Sequence, residues 1–401
     1  RIIVRGGLGI PLKDLWVQTK IDFLVESDAE VTLVDIVKSY PDKNKAQEIK
    51  GVYHRAGNTW KGTSPNLPAN LDYIDPPDWE DIDYDYSMNA LKYHIRRALP
   101  RKLNLAMANS RILPVVTTRG CPYNCTFCFH FNRLYRKHSI EYLMDYFTDL
   151  KKRFDINTLY TWDELIIADR TWFIQLCEAL KKKSLGIQIY MPGGKPNLID
   201  KDILRKMYDA GVIRMSYGIE SGSPTILKEM KKMVTVEENH NAVKWSVETG
   251  IFTHLNMVLG MPSESEKTLK ETRDFLMRLQ KNTGINSESV SFAYATAYPG
   301  TELFEHAVKN GFVGDLRKYV SENKGAAHYM LDFCGLGERR LKKFTELTLI
   351  KMDCNELRGA FSVHRAGKLF LFRIPKFIVI YYFPKIIVRL LKKIKGLRYK
   401  T

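Results

Sequence analysis

Three of the chain's six cysteines fall within eight residues, as Cys121-x3-Cys125-x2-Cys128 in the stretch "TTRGCPYNCTFCFH". Loop backbone can turn such closely spaced thiolates toward one metal centre. A structural zinc site closes with four protein ligands, and His130, in Cys128-x-His130, offers a fourth. Zinc ligand pairs, however, usually sit in two knuckles about a dozen residues apart, and no second pair stands here. Three cysteines without a partner pair suit a four-iron cluster better, with one iron left open for a small ligand. Cys177 lies in an apolar helical stretch and reads as core, while Cys334 and Cys354 lack the clustering for a second site.

The elements that must position this loop follow a regular alternation. From residue 112 to about 312, six strand-like runs each precede a helical pattern: "ILPVVTTRG", "TLYTWDELIIAD", "IQIYMPGG", "VIRMSYGIESGS", "FTHLNMVLGMP" and "SVSFAYATAYPG". The predicted fold class is α/β, an incomplete, TIM-type (β/α)6 barrel, and parallel barrels place their chemistry at the C-terminal ends of their strands. On this register Asp169 stands at a strand end. Asp163 and Glu164 stand at the opposite end and read as solvated. Lys195 either meets a carboxylate or points to solvent, and Ser221 or Ser223 caps the helix that begins at Pro224.

With these motifs in order, the chain resembles the radical S-adenosylmethionine (SAM) enzymes, specifically the subgroup that carries a cobalamin-binding domain. The resemblance rests on the cysteine loop with Phe127 before the last cysteine, on "ELIIADRTWF", on "YGIESGSPTILKEMKK", on "NMVLGMPSES" and on "AYPGTEL". It implies that Cys121, Cys125 and Cys128 hold a [4Fe–4S] cluster whose open iron binds SAM. Reductive cleavage of SAM then yields a 5′-deoxyadenosyl radical that abstracts hydrogen from a substrate. It also implies that Phe127, Asp169 and Glu220 help position SAM, and that Gly260 and Pro262 let backbone approach its adenine. Arg170 departs from the pattern, standing where a second aspartate is expected. The implied reaction is cobalamin-dependent C-methylation, with ring closure, oxidation or rearrangement as the runner-up. A zinc-stabilised binding module is the alternative from another class. A small-molecule or lipid-like substrate and an electron donor such as flavodoxin or ferredoxin are the partners that such an enzyme requires.

The expected organisation is a truncated Rossmann-like cobalamin-binding unit over 1–57, a Pro-, Asp- and Tyr-rich connector over 58–111, the barrel over 112–312, and a mainly helical region over 313–401. Gly6 and Gly7 stand where the resemblance puts a turn close to the corrinoid tail, and a degenerate unit without ligand is the alternative. The chain opens on Arg1, directly on an apolar run, and reads as a fragment whose N-terminus lies upstream. Six cysteines in 401 residues do not make a disulfide scaffold and point to a reducing, cytoplasmic setting.

The net charge of +17 is concentrated. From Leu357 to Thr401 there are twelve Lys or Arg and no Asp or Glu, which leaves about +5 for the rest and argues against a nucleic-acid-binding body. In that tail, Lys and Arg interleave with short apolar runs broken by Pro375 and Pro384, none near the roughly 20 residues that span a bilayer. Such a segment fits the headgroup region of an anionic membrane, a terminal helix packed on the barrel, or an RNA contact. Liposome flotation separates the first from the others: the full chain should float with anionic vesicles and a chain ending before Leu357 should not, whereas equal flotation of both removes the membrane reading.

Overall fold

The structure, a computed structural model, describes residues 3–5, 12–17, 19–26, 28–40, 42–65, 67–80, 110–130, 133–359 and 373. Gly6, Gly7 and the basic tail beyond residue 359, apart from Arg373, lie outside them. The first unit is a four-stranded sheet in the order β1 (Ile3–Arg5), β2 (Phe23–Val25), β3 (Val52–Ala56), β4 (Thr59–Gly62). Only β1 and β2 are parallel, while β2–β3 and β3–β4 are antiparallel. The antiparallel β3–β4 pair departs from the Rossmann-like order expected for this unit, and β4 runs past the expected boundary at residue 57. Gly57-Asn58 makes a hairpin turn, and the chain doubles back as β4 before the connector begins.

The second unit is a six-stranded sheet made of β5 (Ile112–Val115), β8 (Thr158–Thr161), β9 (Gln188–Gly194), β10 (Val212–Glu220), β11 (Phe252–Leu259) and β12 (Val290–Tyr294), in that spatial order. All five strand pairs are parallel. A two-stranded antiparallel ribbon, β6 (Thr118–Arg119) with β7 (Arg136–Lys137), brackets the cysteine loop. The expected α/β alternation is therefore realised strand by strand.

Local chemistry sets the helices between the strands. Ser139, Asp169, Asp200 and Thr301 each accept a backbone N–H at a helix start, and Thr235 with Glu238 and Ser265 with Thr268 form reciprocal caps. Ser223 stands at a cap position but does not cap: its hydroxyl donates to Glu271 at 2.5 Å, and Ser221 pairs with Thr272 at 3.0 Å. Between sheet and helices lies a continuous apolar core that includes Leu113, Leu159, Ile189, Met215 and Leu255. Each such side chain contributes roughly 1.5–3 kcal/mol relative to exposure.

The two units and the ribbon are tied by charge. Asp28, in the loop after β2, bridges Arg119 at 3.0 Å and the fully buried Arg136 at 2.5 Å, and Glu30 takes Arg119 at 2.8 Å. Residues 67–80 pack on the helix Ile140–Phe154. Asp72 accepts from Ser139 N at 2.9 Å, Tyr142 donates to Ile74 O at 3.0 Å, and Trp79 Nε1 donates to Tyr146 at 3.0 Å.

The turn after β10 shows why "ESGS" needs its glycine. A Cβ at Gly222 would lie 2.5 Å from Phe275 Cβ and 2.7 Å from Thr272 Cα, so the helix Glu266–Thr283 packs directly on glycine backbone. Gly222→Ala should force the helix away and cost about 1–3 kcal/mol, read as a lower thermal midpoint by circular dichroism. An unchanged midpoint would contradict the close approach.

Candidate functional site

The site grows from the loop between β5 and the helix Ile140–Phe154. At its entry, Asp163 accepts from Thr117 N at 2.8 Å, Thr118 N at 2.5 Å and both threonine hydroxyls at 3.0 Å, all on one carboxylate oxygen. Asp163 is buried, and burial raises its carboxyl to about 6 although the four donors pull the other way. The expected strand end is corrected for Asp163 and Glu164, and Asp163 is buried where solvation was expected, while Glu164 is exposed as expected. β8 ends at Thr161, so both residues lie past its C-terminal end, on the cysteine side of the sheet. The run "IIA" that extended the expected strand is instead a short 3-10 turn, Ile166–Ala168.

The cysteine loop is stitched to the opposite side of the sheet. Thr126 N donates to Met230 O at 3.0 Å, and Leu303 N donates to Thr126 O at 2.9 Å. Phe127 packs against the apolar cluster that contains Ile226, Met230 and Met261. Burial raises the Cys121 thiol. Cys128 presents surface to solvent, yet the protein around its sulfur pushes the thiol up to about 12, with Cys125 adding to the effect. Lys232 pulls both back down, while Glu164 raises Cys121 and Glu220 raises Cys128. As bare thiols these groups resist ionisation, and a bound cation is what makes such thiolates stable.

Two lysines define the loop's electrostatics. Lys232 donates to Glu220 at 2.8 Å, with both side chains about nine-tenths buried. Burial opposes its charge, but Glu220 first and then Cys125 hold the ammonium above the ordinary lysine range. Lys195 meets neither a carboxylate nor open solvent. It donates to Lys232 O and sits 4.2 Å from the Tyr123 ring centroid, and burial with the neighbouring Lys232 lowers it to about 8. Glu220 itself is held at φ +63°, a conformation that costs a non-glycine residue about 1–3 kcal/mol. Lys231 and Met233 share this left-handed backbone, so the strand end and the segment that carries Lys232 are both strained.

The remaining expected residues are placed as follows. Asp169 is the N-cap of the helix Arg170–Lys183, accepts from Trp172 N at 3.0 Å and pairs with Lys137, which lowers its carboxyl. It is occupied by helix and ribbon rather than by the thiols, as the capping alternative requires. Arg170, at the position of the pattern's second aspartate, pairs with Asp200 at 2.6 Å. Gly260, at φ +86°, begins the turn after β11, and its N–H donates to Glu264 at 3.3 Å. Pro262 follows in that turn. Cys177 is core, as expected.

Sequence reasoning passed over Lys232 and Glu264; Glu164, expected to be solvated, is exposed. Lys232 sits in "KEMKK", which reads as a solvated charge run, and only the fold carries it beside Glu220. His130 has neither ring nitrogen hydrogen-bonded, and its Nδ1 lies 3.8 Å from Glu164. Among the described residues no three His, Cys, Asp or Glu side chains gather closely enough for a single metal ion. A multi-iron cluster makes a different demand, since each iron takes its own thiolate, and three thiols along one loop are a donor set of that kind.

Three thiols past the end of the first strand of a parallel α/β sheet, with a buried Lys–Glu pair at the end of its fourth, lie where parallel barrels place their chemistry. Residues 115–276 match the Radical SAM superfamily. A radical SAM domain works with a [4Fe–4S] cluster and SAM. The chain is 25% identical to an uncharacterized methyltransferase of Pyrococcus horikoshii, over 75% of this chain and 61% of that protein. It is 28% identical to the anaerobic magnesium-protoporphyrin IX monomethyl ester cyclase of Cereibacter sphaeroides, over 75% of this chain and 47% of the cyclase. In structure it resembles the cobalamin-dependent SAM radical enzyme OxsB, at TM-score 0.66 and 18% identity, covering 95% of this chain and 59% of OxsB. This chain thus spans roughly half to three-fifths of the length of these relatives.

Glu264 offers a measurable handle on the turn after β11. It also accepts from Thr268, and burial raises its carboxyl from 4.5 to about 7. The folded state therefore holds a proton that the unfolded state releases, so this contribution to stability is full below pH 4.5 and is lost as pH rises through about 7. Thermal midpoints should fall across that window in the parent chain and fall less in Glu264→Gln, with Asp163 supplying the residual slope below about 6. Identical profiles would refute the buried carboxyl.

Proposed function

We propose that the chain is the cluster- and SAM-binding part of a cobalamin-associated radical SAM enzyme that methylates a carbon of a small-molecule substrate. The observation that carries this reading is the cysteine loop lying against the Glu220–Lys232 pair at the C-terminal end of β10. In this reading Cys121, Cys125 and Cys128 hold the cluster. Glu220 and the Gly260–Pro262 turn face SAM, and Phe127 fixes the loop against the turn's apolar floor. When bound, cluster and SAM supply the hydrogen-abstracting radical, and an external reductant supplies the electron. The chain's own contribution is positional. Lys232 and Lys195 keep positive charge beside three thiolates, Asp163 anchors the loop's entry, and strained Glu220 holds its carboxylate in place.

Cobalamin enters the proposal through the first unit. The OxsB structure was solved with aqua-cobalamin, and its likeness runs over the N-terminal sheet as well as the six-stranded one. The Asp28 bridges to Arg119 and Arg136 fasten that sheet to the ribbon beside the thiols, which is where a second cofactor would have to be presented. The likeness to a cyclase favours ring closure without methyl transfer as the second reading. No described helix is long and apolar enough to cross a membrane, and contact of residues 360–401 with a membrane surface belongs to the proposal alone.

Anaerobic reconstitution tests the first step. The protein should turn brown, absorb broadly near ~400 nm, and release 5′-deoxyadenosine from SAM once reduced. Cys125→Ala should lose colour and cleavage together. A colourless protein with one zinc per chain and no SAM cleavage would replace the enzyme reading with the zinc module, and cobalt bound by the complete protein would separate the cobalamin part from the rest.

A further inference from the structure

The face of the six-stranded sheet turned away from the helices carries a feature that the cluster and SAM do not use. Strand register aligns Pro114 with Tyr160, Tyr160 with Tyr190, Tyr190 with Arg214, and Arg214 with Phe252, one residue from each of five neighbouring strands. Four apolar or aromatic residues thus form a row around one guanidinium. Arg214 is 7% exposed, its Nε has no hydrogen-bond partner, and it forms no ion pair among the described residues. Its nearest polar company is aromatic or neutral: Tyr160, Tyr190, and the Phe252 ring at 5.8 Å.

The adjacent layer of the same face holds His254, also 7% exposed. Its Nε2 lies 3.1 Å from Ser291 Oγ, which donates onward to Asn256 Oδ1 at 2.9 Å, while its Nδ1 is buried without a partner. Burial and the neighbouring Arg214 lower this imidazole to about 4, so it is neutral at pH 7 and adds no charge beside Arg214. A cation so withdrawn from water is costly unless an anion joins it. The carboxylate that these strands carry, Glu220, is already paired with Lys232. Further up the face, Gly218 and Asn256 are half-buried and Ser291 is exposed.

We propose that Arg214 is the receptor for an oxyanion, a carboxylate or phosphate group of the substrate, whose flat or apolar body lies along Tyr160, Tyr190 and Phe252. Guanidinium geometry suits either group by a paired hydrogen bond, and aromatic walls strengthen it by excluding water. The proposal deepens the radical SAM reading, because it takes the ligand of this row to be the molecule that the enzyme modifies.

The test is a ligand-observed NMR titration of the cluster-reconstituted full chain with benzoate and with phenyl phosphate, using benzyl alcohol as the neutral control. One or both anions should bind the parent chain, and Arg214→Met should weaken that binding by about tenfold or more. Benzyl alcohol should respond equally weakly in both proteins. Thermal unfolding of the unliganded proteins supplies the second readout: Arg214→Met should be as stable as the parent or more so, since it removes an unpaired buried charge. Anion binding that survives Arg214→Met, no anion binding at all, or a lower midpoint that marks Arg214 as a structural residue would each overturn the proposal. Cluster absorbance in the same samples reports separately on the radical SAM reading, so failure of one is not mistaken for failure of the other.

Discussion

The buried pair of Glu220 and Lys232 is the constraint on which the site depends. Its carboxylate comes from the last residue of β10 and its ammonium from the segment after the next helix, so the pair closes the strand end onto the chain that returns beneath the cysteine loop. Breaking such a pair by removing one partner typically costs about 3–5 kcal/mol, because the survivor stays buried and charged. The pair joins residues held in left-handed backbone, Glu220 itself and the segment flanked by Lys231 and Met233. It also leaves a positive charge facing Cys125 and Cys128.

Other features arrange themselves around this pair. Asp163 collects the donors of Thr117 and Thr118, setting the direction in which the chain leaves β5 for the thiols. Gly222 lets the helix Glu266–Thr283 pack against the turn that follows Glu220. Thr126 joins the loop to Met230 and Leu303, so the strands on both sides of the sheet share in holding one short segment. Catalytic loops on rigid strand ends are a general solution to positioning chemistry, and here the rigidity comes mainly from buried polar contacts rather than from covalent ties.

The two faces of the sheet divide the labour. The helix-covered face is mostly apolar, and there Tyr217 pairs with Ser246 at 2.7 Å. The opposite face carries Arg214 and His254 with unmatched polar atoms. On the proposal made above, the Arg214 face is the one that receives a ligand.

Much of this was legible in the chain itself. Cysteine spacing is a covalent fact, and thiolate chemistry follows from it without any fold. The six strand–helix repeats are equally local, since alternating periodicity and cap residues such as Thr235 and Ser265 act within a few residues. The extent of the second strand was less so: "TLYTWDELIIAD" is apolar at both ends, and only the fold shows that it breaks at Trp162 and buries Asp163. The hairpin at Gly57-Asn58 was signalled by its turn residues but hidden within a parallel-looking pattern. Lys232 and the Arg214 row were beyond reach, because a lysine in a charge run or an arginine in a strand carries no mark of its partner. Local composition and spacing determined which chemistry this protein can hold. Long-range packing decided which charges lie buried beside it, since burial and ion pairing depend on neighbours that sequence distance does not reveal.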